Sequence, residues 1–373
     1  MKLLTIGAGI MGLSVAWAMA RRGHDVTVVE QASIPNPLGS SVDQHRLIRY
    51  AYGDMAGYTA MVGEAFPAWD KIWQDLGESL YIQTGTLAVG TAGQDWLNAS
   101  AEVLQSQGHA IEMLAPRDLS RRFPLLTPDG VDHAFYLKTG GTLLAGRIIE
   151  LLSHHLALRG VTLMPHQRVV SVDPDGASLR LEDGRYLRAD RLIVAAGPWV
   201  RQLLPGPADR VVPSRQVVAY LTPPADEAAE WARMPMVLEI EPDRGFYLVP
   251  PVAGTGLKVS DHSFSMTGDP DTNRDAGEEE TRALFQSCAN RLASFDRFSL
   301  DVGKVCFYTV HPPAERFVVE PIGNSAWLMT GFSGHGFKFG PLLGEAVADA
   351  LEDKRDGAEV ARWAAGHLDT RAD

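Results

Sequence analysis

The sequence predicts an α/β protein with two domains, one built on a parallel sheet and a second, α+β domain whose sheet is largely antiparallel. Three stretches predict it. Residues 2–6 form an apolar run, Gly7-Ala8-Gly9-Ile10-Met11-Gly12 is a glycine turn opening an apolar helix, and residues 25–29 are a second apolar run ending in Glu30. Ile193-Val194-Ala195-Ala196-Gly197 is another buried-strand pattern, closing on small residues. Residues 211–260 carry repeated strand patterns separated by Pro, Asp and Gly turns, as an antiparallel sheet requires.

The first unit reads as a Rossmann-like dinucleotide cradle. Gly7 allows the tight turn from strand to helix, Gly9 lets the backbone approach a pyrophosphate, Gly12 lets the helix pack closely, and the helix N-terminus attracts phosphate charge. Glu30, eighteen residues after Gly12, is placed to accept a hydrogen bond from a ribose 2′-hydroxyl and to repel a 2′-phosphate. Glycine clusters also serve ordinary turns; strand, helix, second strand and terminal acid in succession make this one specific. Residues 34–41, with Pro35 and Pro37, cannot continue a sheet and deliver His45, Arg46 and Arg49 in a glycine- and serine-rich loop. Two arginines three apart also suit a solvated surface, but their position directly after the cradle favours a site.

Further along, apolar residues at spacings of three and four (Phe66, Trp69, Ile72, Trp73, Leu76) predict a helix over 58–76. Residues 85–90 predict a strand leaving the first domain, 95–107 an amphipathic helix, and Pro116 the first turn of a short helix. A strand over 134–137 is followed by an expected turn at 140–143 and a helix over 145–159. Strands at 161–163, 169–172, 178–181 and 191–194 come next, with Asp183-Gly184 as the hairpin turn joining two of them. Residues 268–280 predict a solvated loop into a helix reaching Leu292. Strands at 307–310, 317–319 and 326–330 then lead to the glycine-rich loop 331–340 and a helix over 341–351, whose free amides again suit negative charge.

Composition limits the function. At 373 residues, 45% hydrophobic and 21% charged, the chain is an ordinary globular protein long enough for two domains of ~150 residues. No apolar run approaches the ~20 residues of a membrane span. A formal charge of −12 without a basic block excludes a nucleic-acid partner, while leaving a small anionic substrate open. Lys2, the apolar run and Ala18-Met19-Ala20 mimic a signal peptide, but cleavage there would destroy the glycine turn, so secretion is excluded. Cys288 and Cys306 have neither CxxC nor metal-ligand spacing, which points to a reducing cytoplasm, no disulfide and no metal.

Five segments in order carry a resemblance: the GAGIMG turn with Glu30; Arg46-Leu47-Ile48-Arg49-Tyr50-Ala51-Tyr52; Gly256-Leu257-Lys258; Val305-Cys306-Phe307-Tyr308-Thr309; and Gly331-Phe332-Ser333-Gly334-His335-Gly336-Phe337-Lys338. Together they resemble the monomeric sarcosine oxidases and N-methyltryptophan oxidases of the D-amino-acid-oxidase-like flavoprotein group. The resemblance implies FAD and oxidation of a small secondary or N-methyl amino acid by dioxygen. The products would be an imine, hydrolysed to aldehyde plus amine, and hydrogen peroxide. It also implies a monomer, a discontinuous FAD-binding domain (1–82, 145–215 and 306–373) and a substrate domain (83–144 and 216–305). Cofactor contacts are expected from Gly7, Gly9, Gly12, Glu30, Arg46, Val169, Gly197, Cys306, Gly334, His335, Gly336 and Lys338. Cys306 matches the cysteine that bonds the flavin, with Lys304 or another nearby cation favouring the thiolate; its alternative is a buried apolar cysteine, the role left to Cys288. Lys258 matches the lysine that activates oxygen, although a strand-end lysine can also reach solvent. Arg49 and Lys338 match residues that hold the substrate carboxylate, and Tyr308, His262 and Tyr247 match residues lining the substrate cavity.

Two features depart from that family. Val42 stands where sarcosine oxidase has a histidine, and the hairpin before Phe246 carries Asp243-Arg244 with altered length. Arg244 could serve a second carboxylate, so an iminodiacetate-like dicarboxylate is the alternative substrate. A dehydrogenase passing electrons to an acceptor other than oxygen, and a non-enzymatic FAD-binding subunit, are the rival functions.

Overall fold

The computed structural model describes residues 1–91, 93, 95–240 and 245–368. Among these, four sheets form. The first has six strands in the order Val318–Ile322, Ala326–Thr330, Arg191–Val194, Lys2–Ile6, Asp25–Val29, Thr162–Met164, parallel except for the Val318–Ile322 edge. Lys2–Ile6 lies near its centre, with all but Lys2 buried, because a parallel strand covered on both faces has no solvent side. Its neighbours are reached in opposite directions along the sheet, so a crevice opens beyond the strand ends, where Gly7 and Ala195 follow the last paired residues. The helix Ile10–Arg21 is buried from Ile10 to Met19. It crosses helix Gly340–Leu351 at close range: a Cβ on Gly344 would stand 2.6 Å from the Ser14 backbone, and one on Gly340 would stand 2.5 Å from Ile10.

An eight-stranded sheet runs Ser299–Val310, Val212–Thr222, Leu257–Asp261, Phe246–Val249, Met236–Glu239, Thr86–Thr91, Val131–Leu137, Glu112–Leu114. Its pairs are antiparallel except Met236–Glu239 with Thr86–Thr91. The longest pair, Val212–Thr222 with Ser299–Val310, runs through residues 215 and 305, where the sequence division between domains was drawn. These strands reach from the eight-stranded sheet back toward the glycine turn, where Ser40 Oγ donates to the Phe307 carbonyl, and they bring Cys306 and Tyr308 with them.

Three local expectations are corrected. The segment expected as a turn at 140–143 is a strand, Gly141–Leu143, in the middle of a small sheet between Arg46–Ile48 and Tyr81–Gln83. Gly141 makes that possible, since a Cβ there would stand 2.1 Å from the Ile82 carbonyl. Arg46 is therefore held by a strand, not by a loop. The Asp183-Gly184 turn joins Ser178–Leu181 to Tyr186–Arg188, while Arg191–Val194 leaves for the parallel sheet. The helix expected to reach Leu292 ends at Ser287, with Cys288 as its buried C-cap.

No helix among the described residues is long and apolar enough to cross a membrane.

Candidate active site

The glycine turn builds one end of a long cavity of about 310 Å³. Gly7 has φ +99°, and a Cβ on it would meet the Ala195 carbonyl at 2.4 Å, so the turn closes only with glycine. A Cβ on Gly12 would stand 2.0 Å from the Gly7 carbonyl, which locates the constraint within the turn itself. Glu30, 6% exposed, accepts from Ala8 N (2.9 Å), Ala32 N (3.1 Å) and Asn36 Nδ2 (3.0 Å). A carboxylate offers about four lone-pair sites, so Glu30 braces the turn and keeps capacity toward the cavity it lines. Ser41 Oγ accepts from Ile10 N at the helix start (2.9 Å).

Val169, Gly197, Gly334, Gly336 and Arg46 line the same cavity. A Cβ on Gly197 would meet no protein atom within 4 Å, whereas one on Gly334 would stand 2.5 Å from the Tyr308 ring. These residues fit FAD. The cavity has an acid at a glycine turn, a 12-residue helix aimed into it, a small-residue wall, and a guanidinium near its far end.

That far end shares Arg46, Tyr308, Gly334 and Phe337 with a second cavity of about 110 Å³. Lys258, Arg49, Lys338, Tyr308, His262 and Tyr247, named separately from the sequence, all line it. Five elements bring them there: Arg49 follows Arg46–Ile48, Tyr247 and Lys258 sit on neighbouring strands with His262 just past the second, Tyr308 lies near the end of the long strand, and Lys338 lies in the short turn Phe337–Phe339.

The electrostatics are unusual. Arg49 lies over the Tyr52 ring (4.6 Å) and 5.9 Å from that of Trp96, and its Nη1 is buried without a hydrogen-bond partner. Lys338 is 3% exposed; its Nζ donates to Tyr52 Oη and to the His335 carbonyl, both at 2.8 Å. Burial pulls both cations down in pKa, Lys338 well below its ordinary value with Arg49 repelling it further, while Tyr52 and Glu315 pull Arg49 the other way. Two desolvated cations with a donor left over make a site for an anion. Burial, reinforced by Arg49, lowers His262 to about 4, so it is neutral at pH 7. His335 is half-buried, with Nε2 beside the Glu315 carbonyl (3.2 Å), as suits a loop-shaping residue.

Cys306 faces Arg46, whose Nη2 lies 3.8 Å from Sγ. Burial pushes the thiol up, opposed chiefly by Arg46 and then by Lys258 and Arg274. Of the cations expected to favour the thiolate, Lys304 or another nearby one, Lys304 lies over the Tyr220 ring at 5.3 Å. It sits two residues from Cys306 along the strand, but the cations that close on the sulfur come from other elements. Arg274 also shows that the 268–280 loop is not simply solvated: its guanidinium lies over Phe307 (4.7 Å) and donates to the Leu38 carbonyl.

Sequence reasoning missed Asp43. Its carboxylate binds Lys258 Nζ (3.0 Å), Arg46 Nη1 (2.5 Å) and Tyr220 Oη (2.5 Å) and is 8% exposed. An acid in a Ser-Val-Asp-Gln run looks like a solvated loop residue; only its spacing of three from Arg46 hints at a partner. Arg244 lies outside the described residues.

Residues 2–350 match the family model described as FAD dependent oxidoreductase. Over 364 residues the chain is 27% identical to a monomeric sarcosine oxidase from Bacillus sp. (strain B-0618), covering 95% of this chain and 93% of that one. It is 25% identical over 372 residues to N-methyl-L-tryptophan oxidase from Yersinia pestis, covering 97% of each. The fold is similar to that of an L-proline dehydrogenase from P. horikoshii, with a TM-score of 0.82 at 19% identity, over 98% of both chains.

Proposed function

The chain belongs to the FAD-dependent oxidoreductase family, and from that premise we propose that it oxidises a small secondary or N-methyl amino acid with dioxygen as electron acceptor. The observation that carries this reading is the buried, unpartnered Nη1 of Arg49 beside the desolvated Lys338. A carboxylate satisfies both, and the planar guanidinium fork suits it. Two similar proteins are named for sarcosine and N-methyl-L-tryptophan, both N-methyl amino acids, and that substrate class is carried over here.

FAD supplies, when bound, the two-electron acceptor that takes a hydride equivalent from the carbon beside nitrogen and passes the electrons to dioxygen, giving hydrogen peroxide; water hydrolyses the imine. Gly7, Gly9, Gly12, Glu30, Val169, Gly197, Gly334 and Gly336 would hold it, with Arg46 at the junction of the two cavities. The remaining work falls to the second cavity. Arg49 and Lys338 fix the carboxylate and thereby the reacting carbon, and such positioning supplies much of the rate. The same two cations disfavour an ammonium group, so the amine binds in its neutral form and no strong protein base is required. Tyr52, Trp96 and Phe337 wall the site and limit water. Lys258 supplies a fixed positive charge where oxygen is reduced. A similar protein is named a monomeric sarcosine oxidase, and that supports a monomer here.

Asp261 and Glu315 line the same cavity, so a second carboxylate on the substrate would face acids. Anaerobic mixing with a panel of secondary and N-methyl amino acids is expected to bleach the flavin, monocarboxylates faster than iminodiacetate-like dicarboxylates, with peroxide formed on admitting air. Failure of every member of the panel to bleach it contradicts the reading.

Cys306 holds the cofactor covalently in this proposal, and Arg46 at its sulfur supports the thiolate that attachment needs. Acid denaturation is expected to give a yellow pellet from wild type and a yellow supernatant from Cys306→Ala. A colourless wild-type pellet would rule the bond out.

A further inference from the structure

We propose that Asp43 is a positioning residue: one buried carboxylate that fixes the charge and direction of Lys258 and Arg46 together. The proposal rests on the reading of Lys258 as the residue serving dioxygen. Lys258 is 2% exposed, and its Nζ donates to Asp43 Oδ2 (3.0 Å) and to the His45 carbonyl (2.9 Å). The same Oδ2 accepts from Arg46 Nη1, while Arg46 Nη2 reaches the Ser40 carbonyl and the Cys306 sulfur. Oδ1 is pinned by Tyr220 Oη and by Gln44 N at 2.9 Å. The Asp43 carbonyl accepts from Gly146 N, tying its backbone to the start of helix Ala145–Leu158. The carboxylate is thus held from the loop and from the Tyr220 strand, its backbone is tied to the helix, and it holds two cations from two further strands.

One anion between two cations leaves a single positive charge in a desolvated cluster. Without Asp43, Lys258 and Arg46 would face each other uncompensated, and the lysine, with far the lower proton affinity, would lose its proton. Each element packed here contributes a group. Asp43 and His45 come from the loop, Arg46 from the short strand, Tyr220 from one side of Lys258 and Tyr247 from the other, and Cys306 from the long strand, with Lys304 beyond Tyr220. Burial keeps the His45 ring neutral, with Lys258 repelling its proton further, so Asp43 is the counter-charge within hydrogen-bond reach of Lys258. Burial lowers Lys258 to about 8, with Asp43 pulling the other way.

The test uses the full-length holoenzyme grown with ε-¹³C-lysine. The chain has seven lysines, and Lys258→Met identifies the Lys258 signal. Asp43→Asn is expected to move the Lys258 titration down by about one unit or more. The pH at which reoxidation by oxygen is half lost should fall in parallel, while reduction by substrate should show no such shift. Unchanged Lys258 titration in Asp43→Asn overturns the proposal. Tyr220→Phe removes one restraint and no charge, so it serves even where Asp43→Asn does not fold. It should leave the titration in place and slow the oxygen step about fivefold or more, in the range of one lost hydrogen bond; an unchanged oxygen step in this variant also overturns the proposal. If Lys258→Met reoxidises as fast as wild type, the oxygen role assigned to Lys258 falls, and the lysine titration still decides what Asp43 does.

Discussion

Arg49→Met is expected to weaken binding of a small carboxylate lacking an amine by about two orders of magnitude. Losing the charged partner of a desolvated carboxylate costs ~3 kcal/mol. The measurement is the dissociation constant read from perturbation of the flavin absorbance. Arg49→Lys should recover only part of the loss, because an ammonium keeps the charge without the planar fork. Stability should move the other way. Arg49 leaves a buried donor unpaired and sits beside a second desolvated cation, so an unbranched, uncharged methionine should leave the melting temperature unchanged or higher. A carboxylate affinity that survives in Arg49→Met would show that the anion site has been misread. A large loss of melting temperature would show that the guanidinium holds the fold instead.

The contrast between Arg49 and Asp43 shows what was legible in the sequence. The cradle was readable because its constraints are local: Gly7, Gly12 and Glu30 lie within thirty residues, and the clashes a Cβ would cause there are with the turn itself and the neighbouring strand end. The antiparallel sheet was readable from strand and turn patterns, yet its parallel Met236–Glu239 pairing with Thr86–Thr91 was not, since that pairing joins segments about 150 residues apart. Arg49, Lys258 and Lys338 were found through motif resemblance, which transfers residue identity without geometry. The partners that set their charge were not found. Tyr52 stands in the same motif as Arg46 and Arg49 with no role read for it, and Tyr220 reads as one more aromatic in a strand. For Cys306 the sequence names Lys304 and leaves any other nearby cation open, whereas Arg46, 260 positions away, is the one near in space. Strands bring side chains together across the chain, and a single sequence carries no record of which ones meet.

Lys258→Met should separate the two halves of the reaction. Reaction of the reduced enzyme with dioxygen is expected to slow by about two to three orders of magnitude, the range for removing a preorganised charge from the site where charge develops. Reduction by substrate, which depends on Arg49 and Lys338 at the other part of the cavity, should change by less than about threefold. The pH dependence gives an independent check. With Lys258 at about 8, the wild-type oxygen step should be fastest below pH 8 and decline as pH rises, because the ammonium that stabilises the developing negative charge is lost. In Lys258→Met that decline should vanish, leaving a slow and flat profile. The variant also releases Asp43 to Arg46 alone, so the carboxylate keeps a counter-ion and the fold should tolerate the change. Stopped-flow reoxidation at known oxygen concentrations, set against anaerobic reduction of the same preparation, measures both arms. Equal slowing of both would mean that Lys258 positions the cofactor or the substrate. An unaltered oxygen rate would direct attention to a different electron acceptor.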